Sequence, residues 1–369
     1  MRQPMANQKR TNRSNPTHRI APRLLAWFAE HARDLPWRRT RDPYAIWVSE
    51  IMLQQTQVKT VVPYWERWMR ELPDVHALAG ASDAKIHKLW EGLGYYTRVR
   101  NLRKAARFLL RDHGGQFPKN FDAVLALPGI GRYTAGAICS IAFNLPTPVL
   151  DGNVMRVLTR AFGIVGDPRE KKTNARLWLF ASELVQRVSR LQRHTSSCSH
   201  LNQALMELGA TICTPRQPKC PVCPLKTTCV AFRRHRVEQL PASSRSTTST
   251  ARHFMAFIVE RHGKLLVRQR PAGVVNAHLW EFPNLEVAPE TSPAIAARKL
   301  LGQAPSQFVP CSTVKHSITR YRITLEAYRA RFSGAPTCGG GVWLSPLRLR
   351  QLAFTAAHGK VLKQAFSEH

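Results

Sequence analysis

A mainly α-helical domain followed by a smaller α+β domain is the fold class this sequence predicts, on three observations. Apolar residues recur at helical spacing in one segment after another between residues 20 and 232. Residues 233–251 then turn Ser/Thr-rich with few large apolar side chains, the composition of a linker. Between residues 252 and 369 the period shortens to that of strands, as in Phe254 to Val259 and Lys264 to Val267 around a turn at Arg261 to Gly263. A chain of 369 residues, at roughly 150 per domain, fits this division.

The elements follow in order. The first 29 residues hold six Lys or Arg and no acid, and residues 1–19 lack both the apolar stretch of a signal peptide and an amphipathic face, so they read as a basic disordered arm, with an organellar presequence as the lesser alternative. Ile20 to Phe28 is a short helix, and L-P-W-R at Leu35 to Arg38 is a rigid basic loop. Asp42 and Pro43 open the next helix as cap and first residue. Along it Ile46, Glu50 and Leu53 share one face, which sets a carboxylate among apolar neighbours. Buried there, Glu50 would lose hydration and its pKa would rise, as a general acid near neutral pH requires. A glutamate paired with one of the many arginines fits the same spacing.

Gln54 to Gln57 end that helix with uncharged groups able to hydrogen-bond bases. Helices over Val61 to Leu72 and Ala84 to Trp90 lead into G-L-G-Y-Y-T-R-V-R-N at Gly92 to Asn101. Glycines, two tyrosines and two arginines can push a wedge between stacked bases while cations hold phosphates, or can simply pack on a core.

L-P-G-I-G-R-Y-T-A at Leu127 to Ala135 lies between two helical patterns. Gly129 and Gly131 allow φ > 0 and close approach, so the turn can offer N–H groups to a phosphate at the N-terminus of the next helix, though an ordinary helix–helix turn has the same look. That helix ends near Asn144 to Pro148, and Asp151 stands directly before another helical run in L-D-G-N. A second carboxylate is thereby tied to the hairpin. Further helices cover Val154 to Ile164, about Asn174 to Leu191, and Leu201 to Ala210.

Cys213, Cys220, Cys223 and Cys229 follow with spacing C-x6-C-x2-C-x5-C. Four thiolates within 17 residues can close around a metal centre, and a single C-x2-C knuckle with wide flanks suits a 4Fe-4S cubane better than zinc. The remaining cysteines, Cys139, Cys198, Cys311 and Cys338, show no disulfide framework, which implies a reducing, cytoplasmic setting. The net charge is +32 and the pI near 11.0, far beyond what solubility needs, so a polyanion such as nucleic acid is the implied partner. Residues 252 onward carry 16 Lys and Arg against 6 Asp and Glu, so both halves are basic. No run reaches the ~20 apolar residues of a membrane helix.

Together W-V-S-E-I-M-L-Q-Q-T-Q-V, G-L-G-Y-Y, L-P-G-I-G-R-Y-T-A, L-D-G-N-V, the four cysteines and the strand-rich tail resemble the MutY-type adenine DNA glycosylases of the helix-hairpin-helix superfamily. The resemblance implies a helix-hairpin-helix glycosylase domain over 20–232 with its 4Fe-4S loop at 213–229, a linker, and a Nudix-like lesion-recognition domain over 252–369. It implies a monomer, nucleoid-associated if bacterial, acting on double-stranded DNA where adenine is mispaired with 8-oxoguanine or guanine, the base being flipped out for attack. Carried over by position, Glu50 would protonate adenine N7, Asp151 would stabilise the sugar cation as in retaining glycosidases, and Tyr133 and Asn153 would orient that pair. Gln55, Leu93 and Tyr95 would fill or wedge the gap, and Leu127, Gly129 and Gly131 would hold the backbone. In the tail, Thr319 would bond near the lesion and Arg320 would meet a phosphate, in a segment H-S-I-T-R-Y where the family often has F-S-H. Ala296 to Gln303 carries no acid, so Nudix pyrophosphatase chemistry is not expected. An endonuclease III-like lyase would need a lysine where Tyr133 stands. A non-enzymatic iron-sulfur DNA-binding protein would account for charge and cysteines but needs no carboxylate pair.

Overall fold

The computed structural model describes residues 17–190, 197–242, 249–318 and 320–366. Its helices are α1 (Thr17–His31), α2 (Pro43–Leu53), α3 (Val58–Glu71), α4 (Val75–Gly80), α5 (Asp83–Trp90), α6 (Thr97–His113), α7 (Phe121–Leu125), α8 (Arg132–Phe143), α9 (Gly152–Phe162), α10 (Lys171–Arg190), α11 (Ser197–Thr211) and α12 (Val230–Arg233). Then come β1 (Thr250–Arg261), β2 (Lys264–Gln269), β3 (Trp280–Glu281), β4 (Asn284–Glu286), α13 (Pro293–Leu301), β5 (Gln307–Ile318), β6 (Tyr321–Arg331), β7 (Gly341–Leu344), α14 (Pro346–Arg350) and α15 (Ala356–Phe366). The expected arm at 1–19 falls outside the described residues except for Thr17 to Arg19, which open α1.

These residues form two units, one from 17–79 and 102–242, the other from 80–101 and 249–366. The sequence reading places 80–101 in the first domain. Polar contacts explain why they group with the second: Lys88 Nζ donates to Leu352 O at 2.9 Å, and Phe354 N donates to Glu91 Oε1 at 2.8 Å.

In the first unit α2 is buried from Tyr44 through Met52, apolar on every side, and so sits inside the bundle rather than on it. Asp42 caps it by accepting from Tyr44 N and Ala45 N, with Pro43 first in the helix. Residues of α1, α8, α9, α10 and α11 build the main core, among them Leu24, Ala137, Val154, Leu184 and Leu205. Gly209 of α11 lies so close to α9 that a Cβ there would come within 2.6 Å of Asn153 Cβ. Only glycine permits that approach, and it sets where Asn153 stands.

The second unit is a seven-stranded sheet ordered β3-β2-β1-β6-β5, with β4 pairing β1 and β7 pairing β2. β1 and β6 run parallel, and β5 returns antiparallel to β6. Both faces of β1 are covered: Ala256 and Ile258 face the core that includes Val361 of α15, while Met255, Phe257 and Val259 face that of Ala296 and Leu301 of α13. Covering both sides turns the strand into a continuous apolar run instead of an alternating one.

Candidate active site

The last turns of α2 and the starts of α8 and α9 meet at a cavity of about 760 Å³, whose lining includes Glu50, Tyr133, Asp151, Asn153, Met206 and Glu207. Residues as far apart in the chain as Glu50 and Glu207 thus share one space. Glu50 is 5% exposed, and Tyr133 donates its hydroxyl proton to Glu50 Oε2 at 2.6 Å. Burial, with nearby Asp151 adding to it, pushes the Glu50 carboxyl up to about 7, against the Tyr133 hydrogen bond and the Arg38 charge, which both favour ionisation. The carboxyl therefore holds a proton available near neutral pH. Burial and the two carboxylates push the Tyr133 phenol well above its ordinary value, so it remains a donor.

Asp151 caps α9: its Oδ1 accepts from Val154 N at 2.7 Å and its Oδ2 from Asn153 Nδ2 at 2.9 Å. Burial raises its pKa, opposed by these two donors and by Arg156. Arg156 in turn donates to Asn153 Oδ1 at 2.8 Å, to Gly209 O at 2.8 Å and to Cys213 O at 2.7 Å. Asn153 is thus fixed from two sides and holds its amide toward Asp151.

A third carboxylate in the cavity wall escaped the sequence reading. Glu207 of α11 has a side chain 1% exposed and accepts from Arg33 Nε at 2.6 Å, Arg33 NH2 at 2.8 Å and Arg38 NH2 at 2.8 Å. Burial opposes its charge, but the two guanidiniums outweigh it and lower its pKa. Its one legible signal is an acid inside the otherwise uncharged run Leu201 to Ala210.

The remaining expected residues divide. In the hairpin Leu127 is buried and its carbonyl accepts from Ile130 N at 3.1 Å. Gly129 uses its freedom and takes φ 76, whereas Gly131 is extended at φ −97 and caps α8 without a side-chain bond. Gln55 is exposed in a left-handed conformation at the end of α2, with φ 58. Tyr95 is 50% exposed with φ 48, while Leu93 is buried at 5%. Arg320 is exposed and donates to Tyr321 Oη at 3.0 Å; Thr319 lies outside the described residues.

Cys213, Cys220, Cys223 and Cys229 are free thiols around one small cavity, with Arg160 and Lys226 in its wall. Arg160 NH1 reaches Cys213 Sγ at 3.4 Å. Among the described residues no group of three or more His, Cys, Asp or Glu side chains is gathered as for one metal ion, so the sulfurs surround a space rather than a point. Burial first, with the neighbouring cysteines adding to it, pushes the Cys223 thiol up to about 12.

Residues 48–183 match the family of HhH-GPD superfamily base excision DNA repair proteins, and residues 254–364 match the NUDIX domain family. The chain is 35% identical to the adenine DNA glycosylase of Rattus norvegicus, over 94% of its own length and 77% of the relative's. To that of Homo sapiens it is 34% identical, covering 92% of this chain and 72% of the other. Among solved structures it resembles a thermostable thymine-DNA glycosylase, with a TM-score of 0.53 and 30% identity over 59% of this chain and 97% of that one. A buried protonated glutamate, a capped aspartate in the same cavity and relatives matched along nearly the whole chain lead to one assignment: the chain belongs to the adenine DNA glycosylases, base excision repair enzymes that act on adenine.

Proposed function

We propose that the chain hydrolyses the N-glycosidic bond of adenine mispaired with 8-oxoguanine or guanine in double-stranded DNA, and leaves the abasic strand uncut. The observation that carries this reading is the pair of unlike carboxyl groups in one cavity. Glu50, held protonated by burial, donates to N7 of the flipped adenine, so that the C1′–N9 bond breaks with its electrons going to the base. Asp151, its carboxyl oxygens held by Val154 N and Asn153 Nδ2, stabilises the positive sugar at C1′ and can bond to it before water attacks. Glu50, now a carboxylate, takes the proton of that water. Tyr133 holds Glu50, and Asn153 with Arg156 holds Asp151. The phenol of Tyr133 cannot do the amine chemistry of a lyase.

The hairpin Leu127 to Gly131 and the uncapped first turn of α8 suit a backbone phosphate. Gln55 and Tyr95, both presented outward, fill the gap in the duplex, with Leu93 behind Tyr95 as support. Thr319 and Arg320 belong to the reading of the lesion by the tail. The four cysteines fit a 4Fe-4S cluster, which would lock the basic loop 213–229 in shape. The protein works as a monomer in a reducing compartment.

The test is excision on four duplexes, pairing adenine with 8-oxoguanine, guanine, cytosine and thymine, with Glu50→Gln and Asp151→Asn beside the wild type. Expected are abasic products from the first two duplexes, strand breaks only after alkali, and variants that bind without excising. Equal rates on all four duplexes, or near-normal single-turnover excision by Glu50→Gln, would overturn the reading.

A further inference from the structure

The loop between α5 and α6 carries its own scaffold, and one side chain makes most of it. Gly92 and Gly94 take φ 103 and 69, and Tyr95 follows at φ 48, a conformation costly for a side chain with a Cβ. Something must hold Tyr95 there with its ring half exposed. Arg98, the second residue of α6, donates from NH2 to Leu93 O at 2.8 Å and to Gly94 O at 3.0 Å. Its guanidinium lies over both aromatic rings, 5.2 Å from the Trp90 centroid and 5.6 Å from that of Tyr95. Trp90 Nε1 donates to the same Gly94 carbonyl at 3.0 Å. Arg98 N closes the turn on Tyr95 O at 2.9 Å.

Burying a guanidinium costs desolvation, and burial lowers the Arg98 pKa to about 10. With NH2 donating to two consecutive carbonyls, this cation braces the backbone of the loop.

We propose that Arg98 is a positioning residue that preforms the DNA-separating wedge: by clamping the Leu93 and Gly94 carbonyls and backing the Tyr95 ring, it sets the strained backbone that points Tyr95 outward before DNA arrives. The proposal rests on the reading that this loop enters the duplex. Without Arg98 the loop would relax, Tyr95 would swing among several orientations, and each encounter would have to order the wedge at the expense of binding energy. Lysine should substitute poorly, because a compact ammonium offers no planar face to lie against the Trp90 and Tyr95 rings while it donates to the carbonyls.

The experiment uses full-length holoprotein and a duplex carrying a non-cleavable adenosine analogue opposite 8-oxoguanine, with 2-aminopurine as the neighbouring base. Wild-type protein should raise the 2-aminopurine fluorescence as the stack opens. Arg98→Met and Arg98→Lys should lower that rise at least fivefold and single-turnover excision at least tenfold, with the thermal midpoint and iron content unchanged. Tyr95→Ala should show the same pattern, which ties the loss to the wedge. Should Arg98→Met fail to fold, Arg98→Lys carries the comparison. Full enhancement in either Arg98 variant, or a loss of excision with stacking signals intact, overturns the proposal. If the wild type itself neither opens the stack nor excises adenine, the functional reading fails instead, and the two failures are told apart by that control.

Discussion

Removing the Tyr133 hydroxyl isolates what holds the proposed acid at its working pKa. The phenol donates to Glu50 Oε2 at 2.6 Å, and this bond favours the ionised carboxylate against the larger effect of burial. Tyr133→Phe takes the bond away and leaves burial unopposed except by Arg38. A hydrogen bond to a charged group contributes about 1.5–3 kcal/mol, and one pKa unit corresponds to ~1.4 kcal/mol, so the Glu50 pKa should climb by about one to two units. The protonated form is the donor, hence activity is lost as pH rises through that pKa. The alkaline limb of the single-turnover excision profile, expected near 7 in the wild type, should move up to about 8 or 9 in the variant. Below pH 6 the two proteins should differ by only a few fold. Rates measured under enzyme excess between pH 5 and 9.5 decide this. A limb that stays in place or moves down would refute the link between Tyr133 and the acid, and a uniform drop at every pH would mean that the phenol touches the substrate instead.

The other expectations concern stability and assembly. Glu50 is raised from 4.5 to about 7, so as pH rises through this window the unfolded chain ionises while the folded one does not, and folding is disfavoured by on the order of 3 kcal/mol at pH 8. Glu50→Gln should therefore melt several degrees above the wild type at pH 8 and show little gain at pH 5; a lower melting temperature at pH 8 would contradict the burial argument. Asp151→Asn should keep the α9 cap and its stability, whereas Asp151→Ala should lose the bond to Val154 N and roughly 1 kcal/mol. Equal destabilisation in urea melts would deny Asp151 its capping role. Glu207→Ala leaves the partly exposed Arg33 and Arg38 without their shared carboxylate and should cost about 1.5–3 kcal/mol, a loss that circular dichroism melts would reveal. Cys223→Ser should purify with little iron and a loosened loop, detectable as faster proteolysis within 213–229; unchanged iron content would remove Cys223 from the ligand set.

How much of this was legible in the linear chain depends on how local the cause is. Asp42 and Pro43 opening α2, α13 over Pro293–Leu301, the hairpin at Leu127 to Gly131 and the cysteine spacing follow from chemistry acting within a few residues, and the sequence by itself determined them. The same holds for the two-carboxylate motif, since Glu50 and Asp151 stand in recognisable runs. What only the tertiary structure decided is how those groups behave. The Glu50 proton depends on burial and on a phenol 83 residues away, and the clamp on Glu207 joins side chains 174 residues apart, so neither leaves a period or spacing to read. Asp151 could be placed before a helix, but one donor that opposes the effect of its burial is an Asn153 locked by Arg156 against Gly209. Residues 80–101 read as one more helical stretch of the first domain, yet Lys88 and Glu91 bond to the tail and carry the segment into the second unit. Propensity and capping act over a turn of helix, whereas desolvation and charge pairing are set by whichever distant segments the fold brings together.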